Sequence, residues 1–398
     1  MSFENLSILD WTLLGALGAM FIAQVYWYAR YLCAPAREMR KSQKLTANSQ
    51  LPTAEGVSVI LCAHNEGENL AQYLQALLTQ DYPTFEVIVV NDGSEDNTQE
   101  VIDAYMLRDP RLHTTFVPRD ARVGSTKKLA LTLAAKSAQY DYLLLTDADC
   151  RPESAHWISE MMCGFQRLTT NAHQPKDIVL GFGAYFYEKG HVNRLVRYDT
   201  LFNGLHYLGA ALCGHPYMGV GRNLAYRKSL FFSSGGFSRL MTNRAGDDDL
   251  FVNHVATPEN TAVVLSRESY TWSPSKTILR EWWLQKRRHV SVSPAYKPQT
   301  KFRLALEPMT RGLFYALIVA IVVYQLRNNF QLSTFNFQLS IAAGLFLVRW
   351  VMQTIMLNVS ARRMGLRRFN MFSILWFDIA LPLVNLWMLI VPKKRLKW

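Results

Sequence analysis

The chain has 398 residues, enough for one large domain or two ordinary ones at about 100 to 200 residues per domain. Apolar residues make up 49% and charged residues 19%, and Lys and Arg outnumber Asp and Glu by 43 to 31, a balance that fits a protein partly in lipid with a basic cytoplasmic face. The sequence shows no zinc finger, aromatic RNP-like motif or long basic helix, which argues against a nucleic-acid partner, and its five cysteines lack paired metal spacing and indicate ordinary thiols in a reducing compartment.

A long apolar segment lies near the start of the chain. Residues 11–32, WTLLGALGAMFIAQVYWYARYL, carry no charge before Arg30 and are long enough to cross a bilayer. The segment is longer than the apolar region of a secretory signal and lacks a clear cleavage site, so we predict an uncleaved anchor over residues 1–34. Two acids precede it and several bases follow it, namely Glu4 and Asp10, then Arg30, Arg37, Arg40, Lys41 and Lys44. By the positive-inside rule, the chain that follows lies in the cytoplasm.

Between residues 57 and 146 strand-like runs alternate with mostly helix-compatible sequence. The four runs are VSVILC, EVIVV, HTTFV and YLLLT. Apolar strands separated by helices are typical of a parallel α/β sheet that helices cover on both faces. In such sheets ligands bind beyond the carboxyl ends of the strands, so we expect functional residues just after each run.

Polar residues follow the first three runs. Glu66 follows the first run, and Asp92 follows the second on a tight turn before a predicted helix. An Asp at a strand end can accept hydrogen bonds from a nucleobase or ribose, and helix starts offer N–H groups to phosphate. The alternative is that Asp92 and Ser94 merely cap a helix. After the third run, Lys127 and Lys128 begin an apolar-periodic helix, where they either neutralise a diphosphate or stay solvated.

The fourth run continues as LLLTDADC and ends in two carboxylates one residue apart. If the extended conformation persists, Asp147 and Asp149 point to the same face, and their like charges repel. A divalent cation with oxygen ligands, Mg²⁺ or Mn²⁺, would relieve this repulsion. The alternative is a pair of solvated turn acids.

After residue 295 the composition predicts contact with a membrane. Residues 296–311 predict an interfacial amphipathic helix, and apolar segments follow near 312–326, 338–358 and 371–391. The first of these is short for a span, and the last contains Asp378 and Pro382. Basic clusters flank the last segment on both sides, namely Arg362, Arg363, Arg367, Arg368 and Lys393, Lys394, Arg395, Lys397. Three full spans would put the second basic cluster outside the cytoplasm. We therefore predict two or three membrane segments within 312–398, and we favour a last segment that is re-entrant or broken.

Together, the four strand ends closely resemble those of the family 2 glycosyltransferases with the GT-A fold, over roughly residues 52–295. The resemblance implies an α/β, Rossmann-like, mostly parallel sheet. It also implies inverting transfer of a sugar from a nucleotide-diphosphate donor, with a UDP-sugar as the first choice. The donor-side residues that it implies are Glu66 and Asp92 for the nucleoside, Lys127 or Lys128 near the donor pocket, and Asp147 with Asp149 for Mg²⁺ or Mn²⁺.

Later stretches strengthen the resemblance. SGGFSRLMTNRAGDDDLFVNHV resembles the family's ED motif, which supplies the general base. Matching the apolar residues after it favours Asp249 as the base with Asp248 in the Glu position, and Asp247 is the fallback. An acidic first turn of a helix would also explain one or two of these acids. WWLQKRRHVS resembles the QxxRW motif with His in place of Trp, and PYMGVGRNLAYRK resembles an acceptor-side strand. The residues implied for the leaving group and acceptor are Gln285, Arg287, Arg288, His289, Gly221 and Asn223.

The resemblance implies an integral membrane enzyme, expected in the bacterial inner membrane with its catalytic domain in the cytoplasm. A soluble acceptor gives no reason to hold an active site against a lipid bilayer, so we expect a lipid-linked or membrane-delivered acceptor. One alternative is a processive polysaccharide synthase subunit, completed by a homodimer or an export partner. Another is a non-catalytic component of an export complex that binds nucleotide sugar, and His289 in place of Trp is the feature that favours it.

Overall fold

The structure is a computed structural model that describes residues 7–45, 55–118, 123–166, 175–241, 245–328 and 337–391. Ten strands are present in these ranges. They are β1 (Val57–Ala63), β2 (Phe85–Asp92), β3 (Leu112–Val117), β4 (Tyr142–Leu145), β5 (Arg151–Pro152), β6 (Ile178–Leu180), β7 (Gly183–Tyr185), β8 (Leu224–Arg227), β9 (Thr261–Val263) and β10 (Thr271–Ser273).

Thirteen α-helices are present in the same ranges, and a π-helical turn, Tyr28–Leu32, continues the first of them. The helices are α1 (Ile8–Trp27), α2 (Ala34–Leu45), α3 (Gly67–Leu78), α4 (Thr98–Met106), α5 (Thr126–Ser137), α6 (Trp157–Phe165), α7 (His191–Leu212), α8 (Lys228–Ser233), α9 (Asp249–Val255), α10 (Leu279–Val290), α11 (Pro298–Asn328), α12 (Phe337–Arg363) and α13 (Met371–Ile390).

Seven strands form the central sheet in the order β3-β2-β1-β4-β8-β6-β9. Strand β1 pairs in parallel with both β2 and β4, in a register that sets Val57 opposite Phe85 and Tyr142. Strand β8 runs antiparallel to β4 and β6. The second sheet is small and has the order β5-β10-β7. The mostly parallel α/β sheet predicted from the four apolar runs is therefore confirmed.

Both faces of the central sheet are buried, because alternate strand residues enter separate apolar cores. Ile60 of β1 packs in the core that contains Leu205 of α7. Its neighbour Val59 packs in the other core, with Trp157 of α6. All residues of β1 except Cys62 are buried. This two-sided burial explains why the strand sequences are almost continuously apolar.

Four helical segments are long and apolar enough to cross a membrane, a pattern typical of a membrane protein. They are Ile8–Lys41, Pro298–Arg327, Phe337–Arg363 and Met371–Ile390. The first contains most of the anchor predicted over residues 1–34. The predicted basic tail after residue 391 lies outside the described residues.

The C-terminal helices are longer and more regular than the predicted segments. The predicted interfacial helix over 296–311 and the short apolar segment after it belong to one continuous helix, α11, which runs through Pro308. Helix α13 is likewise continuous through Pro382 instead of broken. The Asp378 carbonyl, which Pro382 leaves without a helical N–H donor, lies 3.5 Å from Arg311 Nη1. A neighbouring helix thus supplies a polar partner where the proline removes one.

Asp378 lies fully buried at the centre of a polar cluster that joins all four membrane helices. Its carboxylate accepts hydrogen bonds from Arg311 and Arg349, both at 2.8 Å. Two acids and two guanidinium groups balance the charge of the cluster, which makes its burial tolerable in a low dielectric. The members of this intramembrane cluster are Gln24, Tyr28, Glu307, Arg311, Tyr315, Arg349, Gln353 and Asp378.

We expect Asp378→Ala to destabilise the membrane part of the protein strongly, because it leaves two buried guanidinium groups beside a single acid. Breaking a buried ion pair from one side costs about 3–5 kcal/mol of unfolding free energy. Thermal unfolding of the purified protein in detergent measures the effect. Asp81→Ala is the control, because the Asp81 side chain is 79% exposed. Equal melting temperatures for the two variants would contradict the prediction.

Candidate active site

The turns after β1 and β2 bind each other at the carboxyl edge of the sheet. Asn65 has a left-handed backbone with a φ of 57°, and its N–H donates to Ser94 Oγ at 3.0 Å. Its side-chain oxygen accepts a hydrogen bond from the Glu95 N–H at 2.8 Å. Asn tolerates this conformation better than most residues do. The two turns therefore form one fixed edge that carries Glu66 and Asp92.

Glu66 and Asp92 have different surroundings on this edge. Asn69 donates a hydrogen bond to Glu66 at 2.5 Å. Desolvation raises the pKa of Glu66, and the nearby negative charge of Asp149 raises it further. Asp92 accepts a hydrogen bond from the Thr126 hydroxyl at 2.7 Å, which ties the end of β2 to the start of α5. Both predicted nucleoside contacts thus lie at the carboxyl edge of the sheet.

Asp147 and Asp149 lie in the turn just beyond β4. The strand ends at Leu145, so the extended conformation does not persist through the two acids. The carboxylates nevertheless converge, and their oxygens lie with Cys150 Sγ in a group whose ligand atoms are all within 4.8 Å of one another. The turn, and not the strand pleat, therefore brings the acid pair together.

The electrostatics of the acid pair fit a divalent cation. Desolvation and the charge of Asp147 raise the pKa of Asp149. Desolvation also acts on Asp147, but Lys127 outweighs it and lowers the pKa of Asp147. Carboxylate oxygens suit Mg²⁺ or Mn²⁺. Burial raises the pKa of the Cys150 thiol, which lies 3.0 Å from Ser273 Oγ, so it stays neutral. Asp147 and Asp149 are the residues that could hold the metal.

Lys127, in the first turn of α5, bridges two groups of acids. Its Nζ lies 3.0 Å from Asp147 Oδ1 and 3.4 Å from Asp247 Oδ2. Desolvation opposes the charge of Lys127, but these carboxylates outweigh it and raise its pKa above the usual value. Lys128 differs, because it is fully buried and donates to the Ala245 carbonyl at 2.8 Å. Lys127 therefore lies in the cleft, whereas Lys128 supports the loop before the three consecutive acids.

Arg222 is a cleft residue that the sequence analysis missed. Its guanidinium donates to the Gly183 carbonyl at 3.2 Å and lies 4.2 Å from the centre of the Tyr185 ring. It is close enough to Asp147 and Asp149 for their negative charges to stabilise its cation. The signal that could have identified it is its position just before the strand-like run LAYR in PYMGVGRNLAYRK, the stretch that resembles an acceptor-side strand.

The three consecutive acids diverge because Asp248 is the N-cap of α9. Its carboxylate accepts from the Asp249 N–H at 2.8 Å and from the Gly221 N–H at 2.7 Å. The Asp247 side chain, 14% exposed, faces Lys127. Asp249 is 4% exposed and accepts from the Tyr296 hydroxyl at 3.0 Å. The apolar residues that follow the three acids in the sequence favour Asp249 as the general base, but the burial of its carboxylate conflicts with that role.

Burial also perturbs the ionisation of two of these acids. Desolvation and the charge of Asp248 raise the pKa of Asp249 to about 8. Desolvation and the charge of Asp247 raise the pKa of Asp248 to about 6. Asp249 is therefore mostly protonated at neutral pH.

We expect Asp249→Asn to make the protein's stability less sensitive to pH. Since the folded pKa of about 8 lies above an unfolded value of about 3.9, the stability that the protonated group contributes is complete below about pH 4 and is lost as the pH rises towards 8. The wild-type melting temperature should fall more steeply than that of Asp249→Asn across this range, and exposed Asp81→Asn should follow the wild type. Parallel curves for all three proteins would contradict this.

Asn223 is a structural residue and not part of the cleft. It is fully buried, and its Nδ2 donates to the carbonyls of Phe182 at 3.1 Å and Ser269 at 2.7 Å. Its Oδ1 accepts from Trp157 Nε1 at 3.1 Å. Both amide hydrogens and the oxygen are therefore used within the protein. The acceptor-side role implied for Asn223 has no structural support, whereas the nearby Gly221 holds Asp248.

Helix α10 brings part of the QxxR stretch towards the cleft. Gln285 Nε2 donates to the Tyr185 hydroxyl at 3.1 Å. The Tyr185 ring in turn packs on Arg222, so Gln285 supports a cleft residue indirectly. Arg288 is close enough to Asp147 for its positive charge to act on that carboxylate. These contacts place Gln285 and Arg288 on the same side as the acid pair.

The remaining residues of the stretch have different environments. Lys286 is buried and pairs with Asp199 of α7 at 2.7 Å, which fixes α10 against the domain. Arg287 is partly buried, and His289 is exposed. The imidazole, which stands where the family pattern has an indole, is nevertheless close enough to Arg222 and Asp247 for their charges to act on it, so it lies beside the cleft.

The mostly parallel sheet, with an acid pair and a lysine at its carboxyl edge, has the arrangement of the GT-A fold. Residues 58–232 match the family model described as glycosyl transferase family 2. The match covers 175 of the 398 residues, the part of the chain that carries strands β1–β8.

Two curated relatives and one solved structure are similar to the chain. It is 34% identical over 113 residues to poly-beta-1,6-N-acetyl-D-glucosamine synthase of Staphylococcus epidermidis, over 28% of this chain and 26% of that protein. It is 31% identical over 128 residues to the synthase of the same name from Staphylococcus aureus, and the match covers 32% of this chain and 28% of that protein. The chain thus spans less than a third of the length of these relatives. A mannosyltransferase of Pyrobaculum calidifontis in complex with GDP-Man and Mn²⁺ has a TM-score of 0.51 and 18% identity over 88% of this chain and 99% of that chain, which shows a shared fold.

Proposed function

We propose that this protein transfers a sugar, with inversion, from a nucleotide-diphosphate donor to a lipid-linked or membrane-delivered acceptor, with a UDP-sugar as the donor. The observation that carries the proposal is the cluster of Asp147, Asp149, Lys127 and Asp247 at the carboxyl edge of the sheet. Such a transfer needs carboxylates for a metal, a cation for the diphosphate and a separate acid that takes a proton. The cluster contains all three.

On the donor side, each group has a place in the cleft. Asp147 and Asp149 would hold Mg²⁺ or Mn²⁺, which when bound supplies positive charge to the diphosphate as it leaves. Lys127 and Arg288 add fixed positive charge for the same group. The nucleoside then extends towards Glu66 and Asp92 at the neighbouring turns.

Transfer requires a base beside the acceptor, and we assign this role to Asp247. The acceptor hydroxyl oxygen bonds to the anomeric carbon while the bond from that carbon to the diphosphate oxygen breaks, and Asp247 takes the hydroxyl proton. Asp249 is buried against Tyr296, and both oxygens of Asp248 accept backbone hydrogen bonds. Asp247 has a side-chain partner, Lys127, that an incoming diphosphate can attract away from it.

A second candidate function is processive extension of a polysaccharide. It is supported by the names of the two relatives, which are synthases of a polymer of N-acetylglucosamine. The same donor cleft serves both functions, and a homodimer or an export partner would complete a path for the polymer. A non-catalytic role in an export complex is less favoured, because the acid pair, Lys127 and Asp247 are all present in the cleft.

Donor turnover by the purified, detergent-solubilised protein tests the proposal. A panel of nucleotide sugars, beginning with UDP-N-acetylglucosamine, is incubated with Mn²⁺ and a crude lipid extract. We expect one donor to give metal-dependent release of nucleotide together with a labelled lipid. A single labelled species supports one addition, whereas a ladder of products supports processive extension. Tight binding of a donor without any turnover would contradict the catalytic proposal.

A further inference from the structure

A cavity lies where the membrane helices meet the catalytic domain. Its walls come from the end of α1, the π-helical turn, α7, the loop around residues 215–217 and the start of α11, and it encloses about 40 Å³. This volume exceeds the roughly 10–15 Å³ that a single water molecule needs, so the cavity has room for a group larger than water. The side chains that matter below are Trp27, Tyr31, His206, His215, Tyr217 and Arg303.

The aromatic residues of the cavity are of the kinds that mark the level of lipid head groups. Trp27 and Tyr31 stand at the end of the first membrane helix, with ring centroids 4.5 Å apart, and these two residue types are enriched at the interface between membrane and water. Tyr31 belongs to the π-helical turn, a conformation found frequently at functional sites. A Cβ at Gly209 of α7 would lie 2.0 Å from the Tyr31 carbonyl oxygen, so α7 packs directly on this turn. The cavity wall is therefore tightly packed.

Among the buried side-chain polar atoms that have no hydrogen-bond partner within the described residues are Trp27 Nε1 and His206 Nε2. Both residues line the cavity, with ring centroids 6.3 Å apart. Buried polar atoms almost always have a hydrogen-bond partner, so a pair of unpartnered atoms beside one cavity indicates a missing ligand. The indole N–H can only donate, which requires an acceptor atom on that ligand.

Charge narrows the chemistry of the ligand. Arg303 lines the same cavity and is close enough to His215 for its positive charge to act on that imidazole. A guanidinium and an indole N–H suit anionic oxygens, and the guanidinium repels a cationic head group such as choline. The aromatic walls provide flat surfaces beside these donors. A phosphate-bearing group meets all of these conditions.

The cavity also borders the acids of the cleft. The Tyr217 ring lies 6.2 Å from the Tyr296 ring, and the Tyr296 hydroxyl donates to Asp249. Asn253 of α9 donates both to the Tyr217 carbonyl, at 3.0 Å, and to Thr300 of α11, at 3.2 Å. Tyr217 therefore lines the cavity and also lies beside the start of α9, where the three consecutive acids stand.

We propose that this cavity binds the phosphate-bearing head group of the membrane-delivered acceptor. The inference rests on the proposed function, since it names the acceptor site of that function. Arg303 pairs with the phosphate, and Trp27 and His206 bind its neighbouring oxygens. The aromatic rings exclude water around them. The lipid chain leaves the mouth of the cavity towards the bilayer.

Native mass spectrometry of the full chain in detergent tests this site without any need for turnover. The probe is dioleoylphosphatidic acid, a lipid phosphate monoester, and dioleoylglycerol is the same lipid without phosphate. We expect one preferentially bound copy of the phosphate lipid, and about tenfold weaker binding in Arg303→Gln, the size expected for a lost hydrogen bond to a charged group. Trp27→Phe, which keeps a ring but loses the N–H, should weaken binding in the same direction.

The control is Lys301→Gln, which removes one positive charge from the same helix outside the cavity lining. Equal binding losses for Lys301→Gln and Arg303→Gln, or no preference for the phosphate lipid, would overturn the proposal. Competition by inorganic phosphate at the same concentration would assign the cavity to a soluble phosphate compound and also overturn it. Because the readout is binding, a failure of donor turnover would leave this result unchanged, and the two failures can be told apart.

Discussion

Asp149→Asn is expected to reduce donor turnover by about a thousandfold, because a bound cation contributes several kcal/mol of charge stabilisation in such transfers. Asp149 and Asp147 are the two carboxylates that converge beyond β4, and Asn offers a neutral oxygen in place of an anionic one. Asp147→Asn should have an effect of similar size. Both variants should also lose the dependence of UDP binding on Mn²⁺.

Nucleotide release and UDP binding, each measured across a Mn²⁺ titration, give the two readouts. Asp81→Asn is the matched control, since it makes the same chemical change on a side chain that is 79% exposed. It should behave as the wild type does in both measurements. A variant of the acid pair that keeps its Mn²⁺ dependence would show that the metal is held elsewhere.

Asp247→Asn is expected to reduce sugar transfer by about 10²–10⁴-fold, the usual contribution of a general base. The amide keeps the size of the side chain but cannot take the proton from the acceptor hydroxyl. UDP binding and its dependence on Mn²⁺ should remain, because Asp247 is not one of the proposed metal ligands. This combination separates a base from a residue that holds the donor.

Asp249→Asn is the control that decides between neighbouring acids. Because Asp249 is buried against Tyr296, we expect this variant to keep most of its transfer activity. The comparison uses transfer rates at saturating donor, together with UDP affinity for each protein. Loss of transfer in Asp249→Asn with activity retained in Asp247→Asn would reverse our assignment of the base.

The sheet could be predicted from the sequence because its strands are buried on both faces. Residues such as Val59 and Ile60 enter opposite cores, so the run is apolar throughout and stands out from its polar turns. The convergence of Asp147 and Asp149 followed from their spacing, although a turn produces it instead of a strand. Local pattern is sufficient where the interacting groups are neighbours in sequence.

Other features depend on partners far apart in the chain, which spacing does not reveal. Asn223 stands beside glycines in a stretch that suggested ligand contact, yet its amide braces the core through Trp157 and Ser269. Asp378 and Pro382 suggested a broken membrane segment, because two distant arginines that neutralise the acid could not be identified in advance. The sequence did not show which of the three consecutive acids is the base. The structure separates them, because Asp248 is the N-cap of α9 and the side chains of Asp247 and Asp249 therefore point to different surroundings.

Helix α11 has a geometric consequence for the substrates of the proposed reaction. Its 31 residues form a rod about 45 Å long at 1.5 Å per residue, and Thr300 near one end is bonded to Asn253 beside the acidic helix start. The same helix is apolar enough to cross a membrane over Pro298–Arg327, so the start of α9 is attached at one end of a membrane segment. In the proposed reaction, a lipid-anchored acceptor would therefore need to extend its hydroxyl only from that end of the helix to the neighbouring acids.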